Sequence, residues 1–181
     1  SEAVSTGRVE EVIRFFPVQR GDLVFSPPGT VHALCSGVVI YEVQQSSDLT
    51  FRIYDYDRPG LDGKPRKLHL QQALDVIDFS ETLPPPQAWS TLPGASEEGC
   101  VLVDCEHFHM RYVRSSITFC EMVDSFAALT VVNGKAQLRG GSDVFPVAAG
   151  STALLAAGSA IEVEQVGDVS LEYVLSSVTP Q

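Results

Sequence analysis

The chain has 181 residues, 44% of them hydrophobic, enough to bury one core or two small ones, and its composition matches neither a disordered chain nor one built for membrane insertion. Twelve basic against twenty-three acidic residues give a formal charge of −11, which disfavours nonspecific attraction to nucleic acid or to an anionic membrane. An anionic ligand must therefore be held by a few local arginines or lysines.

In chain order, Val9, Val12, Ile13 and Phe16 recur at helical spacing, and Pro17 ends that short amphipathic helix. The stretch "GDLVFSPPGTVHAL" follows, from Gly21 to Leu34. A strand through Leu23, Val24 and Phe25 runs into a rigid Pro27-Pro28-Gly29 turn, after which His32 begins the next strand at a fixed orientation. Short apolar runs broken by Gly and Pro predict strands around 23–26, 38–45 and 51–56. Leu68 to Phe79, with Leu70, Leu74 and Ile77 on one side, predicts a second helix. Leu83 to Gly99, with Pro84-Pro85-Pro86, reads as a linker. From Val101 to Val178 at least six β-rich segments, separated by turns such as Asn133-Gly134 and Gly140-Gly141, predict a sandwich or barrel of its own. The expected division is thus 1–82, a linker at 83–99, and 100–181.

Cys35, Cys100, Cys105 and Cys120 form no CxxC pair, and no charged-then-apolar leader opens the sequence. The expectation is a reduced, cytoplasmic protein with each cysteine acting as a small buried hydrophobe. The opening stretch also has an echo: Gly150, Ala156, Gly158 and Ile161 repeat the spacing of Gly21, Pro27, Gly29 and His32. Two related β domains, the second without the proline and histidine, would produce such an echo.

The pattern Gly-x5-Pro-x-Gly-x2-His resembles the second motif of the cupin superfamily, whose histidine is usually a metal ligand. Together with "VVIYEVQQSSDLTFRIYDYDR" and "GKPRKLHLQQALDVID", it resembles the type I mannose-6-phosphate isomerases in their short bacterial form. Specific motifs carry the resemblance over 9–80, and general pattern alone over 100–181. It implies a mainly β, double-stranded β-helix (jelly-roll) fold: part of a catalytic cupin barrel, a second degenerate cupin domain, and one or two short helices. It also implies a zinc-dependent isomerase that interconverts mannose 6-phosphate and fructose 6-phosphate, with His32 as a zinc ligand and Arg52 as the catalytic and substrate-binding arginine.

The chemistry agrees with those assignments. Zinc takes neutral imidazole nitrogen and keeps an open position in catalytic sites. Hydrogen transfer between C1 and C2 passes through an enediolate, and a guanidinium such as Arg52 offers a permanent cation for that oxyanion or for the substrate phosphate.

Plainer roles remain open for each residue. His32 also suits a half-buried strand position, and Arg52, alternating with Phe51 and Ile53, a solvent-facing one. Asp55, Asp57 and Arg58 read as a charged turn. Lys64, Arg66 and Lys67 read as a solvated surface able to help a phosphate, and His69 as a helix-start residue. His107 and His109 share a strand face but fall too early for the first cupin motif, which counts back from Gly134 to near Glu121, Val123 and Ala127.

No histidine precedes His32, so the resemblance supplies one zinc ligand where a catalytic site needs three or four. The chain therefore reads as the C-terminal part of an isomerase, its zinc site (one zinc per full-length protein) incomplete. A non-catalytic cupin module binding a sugar phosphate or a protein partner is the alternative. Self-association through an exposed barrel edge at 38–45 is a further expectation, since Val38, Val39, Ile40 and Val43 lack a strand partner. Neither nucleic acid nor membrane is expected as a partner.

Overall fold

The computed structural model describes residues 2–5, 8–47, 49–56, 58–80, 84–115 and 119–178, without the side chains of 4–5 and 119–120. Two compact units divide the chain: residues 1–20 with 24–86, and residues 21–23 with 87–181. No helix among the described residues is long and apolar enough to cross a membrane.

In the first unit regular structure is sparse. Helix α1 spans Glu2–Ser5, a 3-10 turn spans Val9–Glu11, and helix α2 spans Leu70–Val76. The helix expected over 9–16 is reduced to that turn. Val9 is buried, but Val12, Phe15 and Phe16 are exposed, so no apolar face is covered and an isolated helix of that length is marginal. Of the strands expected at 23–26, 38–45 and 51–56, none forms in this unit, although the backbone of 38–45 carries neither helix nor turn. A strand exists only through its ladder, and no described segment pairs with 38–45 or 51–56. Val39 and Ile40 are consequently exposed.

Helix α2 is shorter than the predicted 68–79 because Ile77 turns extended, at φ −66° and ψ 127°. Ala73 is its buried residue. The N–H of Asp78 then donates to the carbonyl of Gly29 at 3.1 Å, which ties the Pro-Pro-Gly turn to the helix end.

The second unit is a two-sheet jelly roll. Strand β1 (Asp22–Leu23) pairs antiparallel with β2 (Gln87–Ala88), so the expected linker at 83–99 carries structure, including a 3-10 turn at Trp89–Thr91. Trp89 packs on Tyr112 with ring centroids 4.4 Å apart, and its N–H donates to the carbonyl of Gly21 at 3.0 Å. A Cβ at Gly21 would lie 2.9 Å from the indole, so glycine is needed there. Strands follow at Gly99–Asp104 (β3), Phe108–Ser115 (β4), Phe119–Val123 (β5), Ala127–Asn133 (β6), Lys135–Gly140 (β7), Asp143–Ala148 (β8), Thr152–Leu155 (β9), Ser159–Gln165 (β10) and Leu171–Val178 (β11).

They form a five-stranded sheet, β3-β4-β11-β6-β9, and a four-stranded sheet, β5-β10-β7-β8. Residues 99–178 thus build the double-stranded β-helix expected of the resemblance. Alternation explains it: Ala127, Leu129 and Val131 on β6 and Leu171, Tyr173 and Leu175 on β11 share one face each, and these side chains form the core with Val123, Leu138 and Val163. Gly140-Gly141 lies in the β7–β8 hairpin as predicted. Asn133-Gly134 instead carries the chain from one sheet to the other, anchored by the Asn133 amide donating to the Ser170 carbonyl at 3.0 Å.

The two halves of the sequence echo share backbone geometry. Gly21 and Gly29 take φ of +91° and +87°, and Gly150 and Gly158 take +89° and +75°. In the second copy strands flank the turn, and Ile161, at the position of His32, stands opposite Glu121 on β5.

Candidate active-site residues and their setting

His32 follows a tight turn built from the Pro-Pro-Gly sequence. The N–H of Thr30 donates to the carbonyl of Pro27 at 3.2 Å, and Gly29 sits at φ +87°, the left-handed conformation required after a proline in this kind of turn. A Cβ on Gly29 would come within 2.8 Å of the Val76 carbonyl oxygen, so the turn can approach the helix only as glycine.

The imidazole of His32 is exposed, with Nδ1 3.0 Å from the Thr30 carbonyl oxygen and 3.2 Å from Ser26 Oγ. A carbonyl only accepts, so Nδ1 carries the proton, and in the neutral imidazole it is Nε2 that has the lone pair. That is the tautomer in which a histidine ligates a metal through Nε2, its other nitrogen oriented by a backbone carbonyl.

Arg52 is set by the other end of α2. Its N–H donates to His69 Nδ1 at 3.3 Å, and the N–H of His69 donates back to the Arg52 carbonyl at 2.7 Å. His69 is the residue that opens α2, as the sequence predicts, and its ring meets Phe51 edge-on at 6.2 Å. The structure therefore fastens the His32 turn and the Arg52 backbone to opposite ends of one helix. Seven residues at 1.5 Å each make that spacer roughly 10 Å long. No hydrogen bond joins the two side chains among the described residues.

Near Arg52 lies an ion-pair cluster that sequence reading assigned to an ordinary charged turn. Asp55 is buried and accepts from Arg66 Nε at 2.6 Å, from an Arg66 terminal nitrogen, and from Arg58 at 3.4 Å. The Arg66 hydrogen bonds, against some desolvation, hold the Asp55 carboxyl below the usual carboxylate range, with the charges of Arg66, Arg58 and Arg52 adding to the effect. Arg66 is accordingly a structural counter-ion rather than part of a solvated basic surface. Asp57 lies outside the described residues. The available signal was the pairing of an acidic turn with a basic run a few residues on, but burial of Asp55 was not legible in it.

The remaining candidates are scattered. His107 faces Glu106 at 3.0 Å in a connection, and His109 on β4 faces Asp104 at 3.4 Å. Among the described residues no three His, Cys, Asp or Glu side chains gather as a metal site. Of the cysteines, Cys100 is buried, and burial pushes its thiol up; Cys105 is half-buried. Cys35, expected to be buried, is exposed, because it follows His32 in a segment that no ladder covers. The Cys120 side chain lies outside the described residues.

A polar network within the jelly roll was not anticipated. Tyr173 donates to Glu121 at 2.5 Å, and Arg111 pairs with the other carboxylate oxygen. Tyr173 and Glu121 are buried, and burial together with the carboxylate drives the phenol far above its ordinary pKa.

No family model matches the chain. It is 31% identical over 158 residues to the mannose-6-phosphate isomerase ManA of Bacillus subtilis, a match covering 86% of this chain and 49% of that protein. A mannose-6-phosphate isomerase of Streptococcus mutans is 30% identical over 155 residues, covering 85% of this chain and 48% of its own length. The crystal structure of the mannose 6-phosphate isomerase from Bacillus subtilis superposes with a TM-score of 0.79 at 24% identity, covering 97% of this chain and 55% of that one, and so shares the fold. The chain spans about half the length of the curated relatives it matches. In sequence and in fold it belongs with the mannose-6-phosphate isomerases, as a cupin-fold chain matching about half of each.

Proposed function

We propose that the chain contributes part of the active site of an isomerase that interconverts mannose 6-phosphate and fructose 6-phosphate. The observation that carries this reading is the setting of His32: an exposed imidazole, its Nδ1 proton committed to the Thr30 carbonyl, on a turn fixed by Gly29. Such a histidine is prepared to ligate zinc. The described residues supply no further ligands around it, so they do not by themselves build a zinc site.

Arg52 has the second role. Moving a hydrogen between C1 and C2 places negative charge on the substrate oxygens, and a guanidinium whose backbone is held on both sides by His69 is a fixed cation for it. Among the described residues Asp55 accepts hydrogen bonds from Arg66 and Arg58 and none from Arg52, which acts on it through its charge. The same guanidinium equally suits the substrate phosphate.

The test is the sugar-phosphate interconversion measured on the gene product. Chelation and His32→Ala should each abolish it, and Arg52→Ala should lower kcat by roughly 10²–10³-fold, the cost of removing one group that stabilises a developing oxyanion. Activity retained after both chelation and His32→Ala overturns the assignment.

The single metal donor favours a second reading, a binding module without chemistry. Calorimetric titration with mannose 6-phosphate in the absence of metal separates the two: binding without turnover supports the module, and no binding removes it. For partners, we propose self-association through residues 38–45, supported by exposed Val39 and Ile40 on a segment with no ladder partner among the described residues. A monomeric sedimentation profile at high concentration would exclude it.

A further inference from the structure

At one end of the jelly roll, the first halves of β4 and β6, the β5–β6 connection and the last residues of β3, β5 and β11 line a cavity of about 290 Å³. The proposed isomerase chemistry does not use it. Its lining combines two carboxylates, Asp104 and Asp124, with the donor Arg111, the imidazole of His109 and the hydroxyl of Ser177. Met122, Leu175 and Val178 supply apolar wall.

Register explains why these groups meet. On the paired strands β4 and β11, Tyr173 stands opposite Val113, Leu175 opposite Arg111, and Ser177 opposite His109. Alternate residues share a face, so the interior changes along one line from apolar Leu171 through the Tyr173–Glu121–Arg111 network to His109 and Ser177 at the mouth.

The polar groups at the mouth have unused capacity. Arg111 spends one terminal nitrogen on buried Glu121, leaving Nε and its other terminal nitrogen without a hydrogen bond among the described residues. His109 turns Nδ1 toward Asp104, leaving Nε2 without a partner there, and the side chains of Asp124 and Ser177 have none among the described residues.

The charge pattern selects the ligand. A phosphate would meet two carboxylates, while the one permanent cation, Arg111, is already matched by Glu121. An ammonium would pair with the carboxylates but leave the free N–H groups of Arg111 facing a cation. A hydroxyl both donates and accepts, so a set of hydroxyls can satisfy the carboxylates and the N–H donors together. The apolar wall suits the C–H face of a ring, and the volume lies at the lower edge of the roughly 300–1,000 Å³ of small-molecule pockets.

We propose that this mouth binds a neutral polyhydroxylated ring of monosaccharide size and rejects its phosphate ester. The site is built from residues of the second unit alone and holds whether or not the assignment of His32 and Arg52 does.

The experiment is amide NMR on this chain, titrated with D-mannose and separately with D-mannose 6-phosphate. Mannose should shift the amides of His109, Asp124 and Ser177 in a saturable way, and the phosphate ester should leave them unmoved. The Asp124→Ala, Ser177→Ala double variant should weaken mannose binding by roughly tenfold or more, with the remaining spectrum intact. Absence of saturable shifts at millimolar mannose, shifts confined to residues 24–86, or equal binding of the phosphate ester would each overturn the proposal. Should the variant fail to fold, the mapping on the unaltered chain decides.

Discussion

Gly29 shows how one position can hold a candidate ligand in place. Its φ of +87° is unfavourable to any residue with a Cβ, and that Cβ would press on the Val76 carbonyl at 2.8 Å. Gly29→Ala should therefore destabilise the first unit by at least about 1–2 kcal/mol, the usual cost of a left-handed non-glycine residue, visible as a lowered Tm. Asp55 supplies a pH dependence of definite sign. Its folded-state pKa is held below the ordinary 3.8 by Arg66, so its contribution is complete above the unfolded value and is lost as pH falls through the folded one. The stability gap between the protein and Asp55→Asn should be constant near neutrality and close in acid; a gap that persists unchanged into acid would show that the ion pairs do not titrate as described. In the second unit, Arg111→Met leaves Glu121 buried beside Tyr173 without its half-exposed cation, and denaturant unfolding should report a loss of about 1–3 kcal/mol. The turn that presents His32 was legible in the sequence because the turn chemistry and the histidine lie within six residues. The Tyr173–Glu121–Arg111 network was not, because its members come together only through strand register.

Helix α2 shows the same contrast at the scale of an element. Its existence and its opening at His69 follow from apolar spacing, but its use as a spacer between Arg52 and the His32 turn depends on backbone hydrogen bonds at both ends, which no residue type announces. Ala73→Gly should weaken the helix by about 1 kcal/mol. Hydrogen exchange at the Arg52 and Asp78 amides should then quicken together; acceleration of one alone would mean that the helix is not their common support. The strands predicted at 38–45 and 51–56 failed for a different reason. Local apolar runs record a tendency to be extended, whereas a strand also needs a neighbour, and sequence pattern carries no information about whether one is present. In the second unit the stretch expected to hold at least six β segments separated by turns holds nine paired strands among the described residues.

For the whole molecule, the testable consequence concerns metal. A lone histidine lacks the converging donors behind the roughly 10 kcal/mol or more of a complete structural zinc site, so the chain by itself should retain no stoichiometric zinc after dialysis. Elemental analysis checks this, and one tightly held zinc per chain would show that further donors converge on His32. The two copies of the echo differ in what surrounds them. Both carry the same pair of left-handed glycines, yet the copy embedded in a complete pair of sheets has Ile161 where the other has His32. The likeness in glycine spacing was readable from the sequence, whereas the placement of Ile161 opposite Glu121 required the ladder.

The packing of the only tryptophan gives the molecule a built-in optical reporter. Trp89 is half-buried between Tyr112 and the backbone of Gly21, and the two-residue strand Asp22–Leu23 is held beside it by its pairing with Gln87–Ala88. Detachment of that short strap would wet the indole while leaving the two large sheets paired. Emission should then move to longer wavelength before the far-ultraviolet dichroism of the sheets is lost, so the one tryptophan would distinguish the release of this two-residue strand from the melting of the barrel.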